Sequence, residues 1–230
     1  MMRHRLLLSL LLVLPLMSTA ATPPDDWAQL GRFREANAAL GAPRADEARV
    51  VVLGDSITEH WSHDAPDPFG PGGWINRGIS GQTTPQMLLR LRQDVIALAP
   101  RVLVIIAGTN DIAGNTGPTT VEAIAGNIAS MAELARAHGI RVVIGTVPPA
   151  SRYWWAPEID PRTRIIELNH LLRRYAQQQD LVLLELHTPL ADADGGIAKA
   201  LAEDGVHPTA AGYRVMSAAA REAVQRALTR

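Results

Sequence analysis

The chain has 230 residues, of which 47% are hydrophobic and 4% aromatic, and it carries 22 basic and 23 acidic side chains. This composition suits one folded domain with a core of ordinary size, and it excludes both a fibrous repeat and a disordered, highly charged chain. Because the charge is close to balanced, nothing in it favours binding to nucleic acid.

The start of the chain has the pattern of an export signal. Two arginines precede an apolar segment from Leu6 to Met17, and the small residues Ser18-Thr19-Ala20 follow as a cleavage site. A membrane span is the competing interpretation, but the segment is shorter than the roughly 20 residues that a bilayer needs. We expect residues 1–21 to be a cleaved signal peptide and residues 22–230 to be a single domain, exported to the periplasm or secreted without a stable membrane anchor.

The sequence contains no cysteine. This excludes a disulfide, a thiol nucleophile, a thiolate metal site and a lipidated N-terminal cysteine. Cleavage after Ala20 removes two arginines and no acid, leaving 20 basic side chains against 23 acidic ones. We therefore expect a mildly acidic domain that is stabilised by its hydrophobic core alone.

Strands and helices alternate along the rest of the chain. The hydrophobic patterns predict strands over 50–54, 74–79, 102–106, 141–146 and 181–186, and helices over 25–40, 85–98, 119–138, 161–178 and 209–228. Residues 59–73, rich in Pro, Gly, His and Asp, predict a surface loop. Five alternations predict a parallel sheet covered by helices on both faces, which is a three-layer α/β/α sandwich.

A serine follows the end of the first predicted strand, in Gly54-Asp55-Ser56. All strands of a parallel sheet end on the same edge, where ligands bind, and a helix beginning there directs backbone N–H groups at the ligand. Ser56 is therefore a candidate nucleophile. The alternative is that Gly-Asp-Ser is an ordinary turn in which Asp55 or Ser56 caps a helix.

A serine hydroxyl needs a base within hydrogen-bond reach, usually a histidine held by a carboxylate. Among the seven histidines, His207 follows Asp204 by three residues across a glycine. That spacing lets the carboxylate bind Nδ1 of His207 while Nε2 faces the serine. The alternative is that Asp204 only caps the last helix and His207 is a surface residue.

Polar or glycine residues also follow the second and third predicted strands, at Gly81 and Asn110. With the backbone N–H of Ser56, the N–H of Gly81 and the side-chain amide of Asn110 would supply three donors for a developing oxyanion. Taken singly, Gly81 is also consistent with a plain turn and Asn110 with a helix cap. The aromatic run Tyr153-Trp154-Trp155 would either line the substrate pocket or only bury its own loop.

Four short blocks together carry a family resemblance: Gly54-Asp55-Ser56-Ile57, Arg77-Gly78-Ile79-Ser80-Gly81, Gly108-Thr109-Asn110-Asp111 and Asp204-Gly205-Val206-His207-Pro208. In order and approximate spacing they resemble the blocks of the SGNH (GDSL-type) hydrolases. The second and third blocks are similar to the branch related to the catalytic subunits of platelet-activating-factor acetylhydrolase. The resemblance covers the chain from about residue 50 to its end.

The resemblance implies a flavodoxin-like five-stranded sheet of order 2-1-3-4-5 and ester hydrolysis through an acyl-enzyme, with no metal or other cofactor. It implies Ser56 as nucleophile, His207 as general base and then acid, and Asp204 as the partner that orients His207. Gly81, Asn110 and the Ser56 amide are implied as oxyanion donors. The Gly-x-Ser-x-Gly motif of another hydrolase fold is absent, because position 58 is Thr.

These observations predict an exported serine esterase that acts on small carboxylic esters, with short acyl chains or acetyl groups. Alternatives among enzymes are a carbohydrate O-acetylesterase and a lysophospholipase or thioesterase. From another class, a carbohydrate-binding module with a silent site is the alternative. Neither a Walker loop nor a Gly-x-Gly-x-x-Gly motif after a strand is present, so nucleotide binding has no support. The residues indicate neither the acyl length nor the oligomeric state.

Overall fold

A computed structural model describes residues 26–69 and 73–230, so the predicted signal peptide lies outside the described residues. Its sheet has five strands: β1 (Val50–Gly54), β2 (Ile75–Gly78), β3 (Val102–Ile106), β4 (Arg141–Gly145) and β5 (Val182–Leu184). All neighbouring strands are parallel, and their order is β2-β1-β3-β4-β5. The predicted fold class and strand order are confirmed.

The helices in the described residues are α1 (Arg34–Leu40), α2 (Ser56–Asp64), α3 (Thr84–Asp94), α4 (Thr109–Ile112), α5 (Val121–Ala137), α6 (Arg162–Gln178), α7 (His187–Leu190) and α8 (Ala210–Thr229). A short 3-10 turn over Ile96–Leu98 follows α3. Among these residues no helix is both long and apolar enough to cross a bilayer.

The sheet separates two hydrophobic clusters. On one face, Val51 and Leu53 of β1 pack with residues of α3, α5 and α6; on the other, Val50 and Val52 pack with residues of α2 and α8. Because successive side chains of a strand point to opposite faces, a run of Val and Leu serves both clusters at once. This explains why β1 and β3 are continuous apolar runs without alternation, whereas β2, at the edge of the sheet, carries Asn76 and Arg77.

The first helix is shorter than predicted. Of residues 26–40 only 34–40 form the α-helix, and Trp27 and Leu30, which precede it, are 51% and 39% exposed. The carboxylate of Asp26 accepts hydrogen bonds from the backbone N–H groups of Leu30 and Gly31, both at 2.8 Å. A side chain that binds nearby backbone donors competes with helical hydrogen bonds, so this segment forms turns instead.

The predicted loop over residues 59–73 is also corrected, because residues 59–64 continue α2. Trp61 holds this turn of helix in place: its ring is fully buried, and its Nε1–H donates to Ser217 Oγ at 3.0 Å. His60, His63 and Asp64, which are part of the composition that indicated a loop, lie on the exposed side of this helix.

Helix α2 lies directly against strand β2 because residue 78 is glycine. A Cβ atom at Gly78 would overlap the backbone nitrogen of Glu59. The side chain of Asn76 completes the contact, since its Nδ2–H donates to the Thr58 carbonyl at 2.5 Å and to Ser62 Oγ at 3.0 Å. The start of α2, which carries Ser56, is thereby fixed at the carboxyl edge of the sheet.

Candidate active site

A chain of two hydrogen bonds joins Ser56, His207 and Asp204. Ser56 Oγ lies 2.9 Å from His207 Nε2, and His207 Nδ1 lies 2.7 Å from Asp204 Oδ2. Ser56 and His207 are 151 residues apart in sequence. The fold therefore brings together a hydroxyl, an imidazole and a carboxylate in the order that activates a serine.

Ser56 is the first residue of α2, immediately after β1. Asp55 caps this helix, with its Oδ1 accepting the N–H of Ile57 at 3.0 Å. Burial raises the pKa of Asp55 to about 7, although the hydrogen bond from Ile57 opposes the rise. The cap is thus Asp55 and not Ser56, which leaves the serine hydroxyl to bond with His207.

Asp204 holds its histidine through both carboxylate oxygens. Oδ1 accepts the backbone N–H groups of Val206 at 2.9 Å and His207 at 2.8 Å, while Oδ2 contacts the ring. Partial burial alone would raise the pKa of Asp204, but the hydrogen bonds from the ring and from these backbone groups outweigh burial and lower it. Helix α8 is capped by Thr209, so capping is not the role of Asp204.

Gly81 and Asn110 follow the ends of β2 and β3, at the same edge of the sheet as Ser56. Gly81 has a φ of +78°, a left-handed conformation that favours glycine. Asn110, which is 4% exposed, lies in α4, and its Nδ2–H donates to the Gln82 carbonyl at 3.1 Å. The next residue anchors α4, because the buried carboxylate of Asp111 accepts the backbone N–H of Thr84 at 3.0 Å and its hydroxyl at 2.5 Å.

These side chains surround a cavity of about 280 Å³ that opens to solvent. Six of the residues singled out from the sequence line it: Ser56, Gly81, Asn110, Trp154, Trp155 and His207. Asp204 does not line the cavity but contacts His207 through the other ring nitrogen, Nδ1. Within residues 26–69 and 73–230, no cluster of three or more His, Asp or Glu side chains could hold a metal ion.

Tyr153, one of the three candidate pocket residues, does not line the cavity but follows the alternative in which it buries its own loop. Its side chain is fully buried and stacks behind Trp155, with ring centroids 4.9 Å apart, so it does not reach the cavity. Trp155 packs edge-on against Trp154, and Trp154 is 65% exposed. The aromatic run therefore contributes two tryptophans to the cavity wall and one tyrosine to the packing beneath them.

Three further residues line the cavity and were not predicted: His60, Ser80 and Asn115. The ring of His60 lies 5.3 Å from that of His207, because residue 60 is one helical turn after Ser56 on α2. Ser80 precedes Gly81, and its N–H and hydroxyl donate to Glu59 at 2.7 and 2.5 Å. Asn115 belongs to a turn after α4, where neither periodicity nor a motif marks it.

Comparison with known proteins identifies the family. Residues 52–215 match the GDSL-like lipase/acylhydrolase family, and the matched range contains Ser56 and His207. The chain belongs to this family. It is a carboxylic ester hydrolase, as its relatives named as esterases are, and its fold brings the ends of β1, β2 and β3, which precede Ser56, Gly81 and Asn110, to one edge of the sheet.

Two solved or curated relatives extend over most of the chain. A GDSL-like lipase from Bacteroides thetaiotaomicron is 42% identical, with a TM-score of 0.85, and the match covers 87% of this chain and 98% of that one. Esterase TesA of Pseudomonas aeruginosa is 30% identical, over 70% of this chain and 80% of its own.

Other relatives have different names. An uncharacterised lipoprotein, YqeF of Bacillus subtilis, is 30% identical over 73% of this chain and 85% of its own. An acetylxylan esterase of Xylanibacter ruminicola is 25% identical over 77% of this chain but only 43% of its own length. The names of these relatives, a lipase and an acetylxylan esterase among them, point to more than one kind of ester.

Proposed function

We propose that this protein is an exported serine esterase that hydrolyses small carboxylic esters, with residues 1–21 as a signal peptide and residues 22–230 as one hydrolase domain. The observation that carries the proposal is the hydrogen-bonded series Ser56–His207–Asp204 opening into one cavity with Gly81 and Asn110. Export is supported by the basic and apolar start of the chain and by a relative named as a lipoprotein.

In the first half-reaction, Ser56 Oγ attacks the carbonyl carbon of the ester while His207 Nε2 accepts the hydroxyl proton. Asp204 accepts the Nδ1–H of His207, which fixes the tautomer and stabilises the imidazolium that forms. The pKa of Asp204 is lowered, so this carboxylate stays ionised at neutral pH. His207 then donates the proton to the leaving alcohol, and the acyl group remains on Ser56.

Charge that develops on the carbonyl oxygen is stabilised by three donors: the backbone N–H of Ser56, the N–H of Gly81 and the Asn110 amide. Ser56 begins α2, where the first backbone N–H groups have no partner within the helix. In the second half-reaction His207 accepts a proton from water, which attacks the acyl-enzyme and releases the acid. His207 then donates that proton to Ser56 Oγ as the bond between Ser56 and the acyl group breaks. Each proton that His207 accepts is thus passed on within the same half-reaction, and the enzyme ends the cycle unchanged.

The cavity favours a small acyl group. Its volume of about 280 Å³ includes the space that the alcohol side must share, which leaves room for acetate and other short chains. A lysophospholipase or a thioesterase, which would act on a longer acyl chain, is a further alternative among enzymes.

A carbohydrate O-acetylesterase is the second candidate, and one observation favours it. Trp154 and Trp155 present aromatic surface at the mouth of the cavity, and Trp154 is 65% exposed. Exposed aromatic rings suit stacking against the apolar face of a sugar. A relative named acetylxylan esterase, matched over 43% of its own length, adds support.

The test is hydrolysis of p-nitrophenyl esters from acetate to octanoate by the wild-type protein, its Ser56→Ala variant and its Asn37→Ala variant. Asn37 lies outside the cavity and serves as a control for the loss of one polar side chain. We expect the fastest turnover on acetate or butyrate, and a loss of roughly 10³-fold or more in Ser56→Ala. Equal turnover by wild type and Ser56→Ala would overturn the serine mechanism, and an optimum at octanoate would overturn the small-acyl assignment.

A further inference from the structure

Asn115 forms hydrogen bonds with three groups of the site through a single side chain. Its Nδ2 donates to the Gly81 carbonyl at 3.1 Å and to Asn110 Oδ1 at 3.0 Å, and its Oδ1 accepts the indole N–H of Trp155 at 3.0 Å. Its backbone N–H also donates to the Asn110 carbonyl at 3.0 Å. Asn115 thus connects the aromatic wall of the cavity to one of the proposed oxyanion donors.

The chemistry of these groups permits only one orientation of the two amides. An indole N–H can only donate, so the atom of Asn115 that faces Trp155 must be its oxygen. The nitrogen of Asn115 must then face the Gly81 carbonyl and Asn110, which requires the oxygen of Asn110 to face Asn115. Asn110 consequently presents its nitrogen to the Gln82 carbonyl and to the cavity.

The reversed orientation of Asn110 would place two oxygens together and two nitrogens together. Its oxygen would face the Gln82 carbonyl, and its nitrogen would face the Asn115 nitrogen. An oxygen of Asn110 directed at the cavity would repel a developing oxyanion instead of stabilising it. Because Asn110 is only 4% exposed, it has little contact with solvent that could compensate for mismatched pairs.

We propose that Asn115, oriented by the Trp155 indole, is a positioning residue that directs the Nδ2–H of Asn110 toward the substrate oxygen. The proposal rests on the proposed serine esterase function, in which Asn110 is a donor to that oxygen. Asn115 acts only through Asn110 and contacts no reacting atom. Since Asn115 is itself exposed, its loss should affect turnover far more than it affects stability.

The test measures kcat and KM on p-nitrophenyl acetate, together with Tm, for Asn115→Ala, Asn115→Asp and Trp155→Phe. We expect Asn115→Ala to lower kcat by roughly 10- to 100-fold, with KM within about threefold, because small errors in the position of a donor have effects of this size. Asn115→Asp should be at least as slow, since its carboxylate would face the Gly81 carbonyl and favour the reversed Asn110. Trp155→Phe keeps a ring but removes the indole donor, and should lower kcat in the same direction.

A double variant separates positioning from an independent role. If Asn115 acts through Asn110, the Asn110→Ala/Asn115→Ala protein should have a kcat within about threefold of Asn110→Ala alone, whereas independent effects would multiply. Tm of Asn115→Ala should stay within about 2 °C of wild type. The control is Asn37→Ala, which removes an amide with hydrogen bonds to Asp94 and Arg77 outside the cavity, and should lower Tm without changing kcat.

Two outcomes would overturn this inference alone. One is an Asn115→Ala protein with wild-type kcat while Ser56→Ala is inactive, and the other is multiplicative losses in the double variant. An active Ser56→Ala protein would instead overturn the proposed function itself, so the two failures are distinguishable.

Discussion

At the scale of single residues, folding strongly changes the pKa of Asp55, the acid that precedes the proposed nucleophile. It is 1% exposed, and burial raises its pKa to about 7 from an ordinary value of 3.8. The folded protein therefore binds this proton more tightly than the unfolded chain does. The resulting contribution to stability is fully present below about pH 4 and is lost as the pH rises to about 7.

Asp55→Asn removes this titration and keeps an oxygen that can cap α2 through the Ile57 N–H. We expect the free energy of unfolding of Asp55→Asn, relative to wild type, to increase by about 3 kcal/mol between pH 4 and pH 7, at about 1.4 kcal/mol for each unit of pKa and with Asp55 still half protonated in the folded protein at pH 7. Urea unfolding at several pH values checks this, with Asp46→Asn at an exposed acid as control. Parallel pH profiles for wild type and Asp55→Asn would contradict the assignment.

At the scale of elements, buried Arg90 joins strand ends to the turn that carries Gly81. From α3 it donates to the carbonyls of Gly54 at 3.1 Å and Arg77 at 2.8 Å, and to Gln82 Oε1 at 2.6 Å. It also pairs with Asp94 at 3.3 Å, and both side chains are fully buried. Burial lowers the pKa of Arg90 to about 10, which leaves it charged at neutral pH.

Arg90→Leu should lower the free energy of unfolding by about 3–5 kcal/mol, because it leaves Asp94 as a buried charge without its arginine. Urea unfolding at neutral pH measures the change. Arg92→Leu, at an exposed position of the same helix, is the matched control and should stay within about 0.5 kcal/mol of wild type. A loss of under 1 kcal/mol in Arg90→Leu would show that the network does not stabilise the edge of the sheet.

At the scale of the whole molecule, the sheet could be predicted because its inner strands, β1, β3 and most of β4, are apolar runs that serve both clusters. The approximate position of the site followed from the same reasoning, since Ser56, Gly81 and Asn110 each come after the end of a strand. Parallel strands bring these ends to one edge whatever the lengths of the helices between them. The parallel arrangement of the strands was therefore the strongest basis for predicting the site.

What the sequence could not predict depends on contacts between segments that are distant along the chain. The end of α2 could be predicted only with the knowledge that Trp61 packs in the core. The short length of α1 could be predicted only with the knowledge that Asp26 binds nearby backbone N–H groups. The bond from Trp155 to Asn115 joins two loops that are 40 residues apart in sequence. Periodicity carries no information about such a bond, and for the same reason it could not decide whether Tyr153 lines the cavity or packs beneath Trp155.

Covalent labelling of the wild-type protein with a fluorophosphonate, followed by peptide mapping, tests the central claim most directly. The reagent modifies a serine that is activated by a base and flanked by oxyanion donors. We predict one adduct, on Ser56, formed in proportion to the loss of esterase activity, and no adduct in Ser56→Ala. Full ester turnover after Ser56 has been modified, or an adduct on a different residue as activity disappears, would contradict the account.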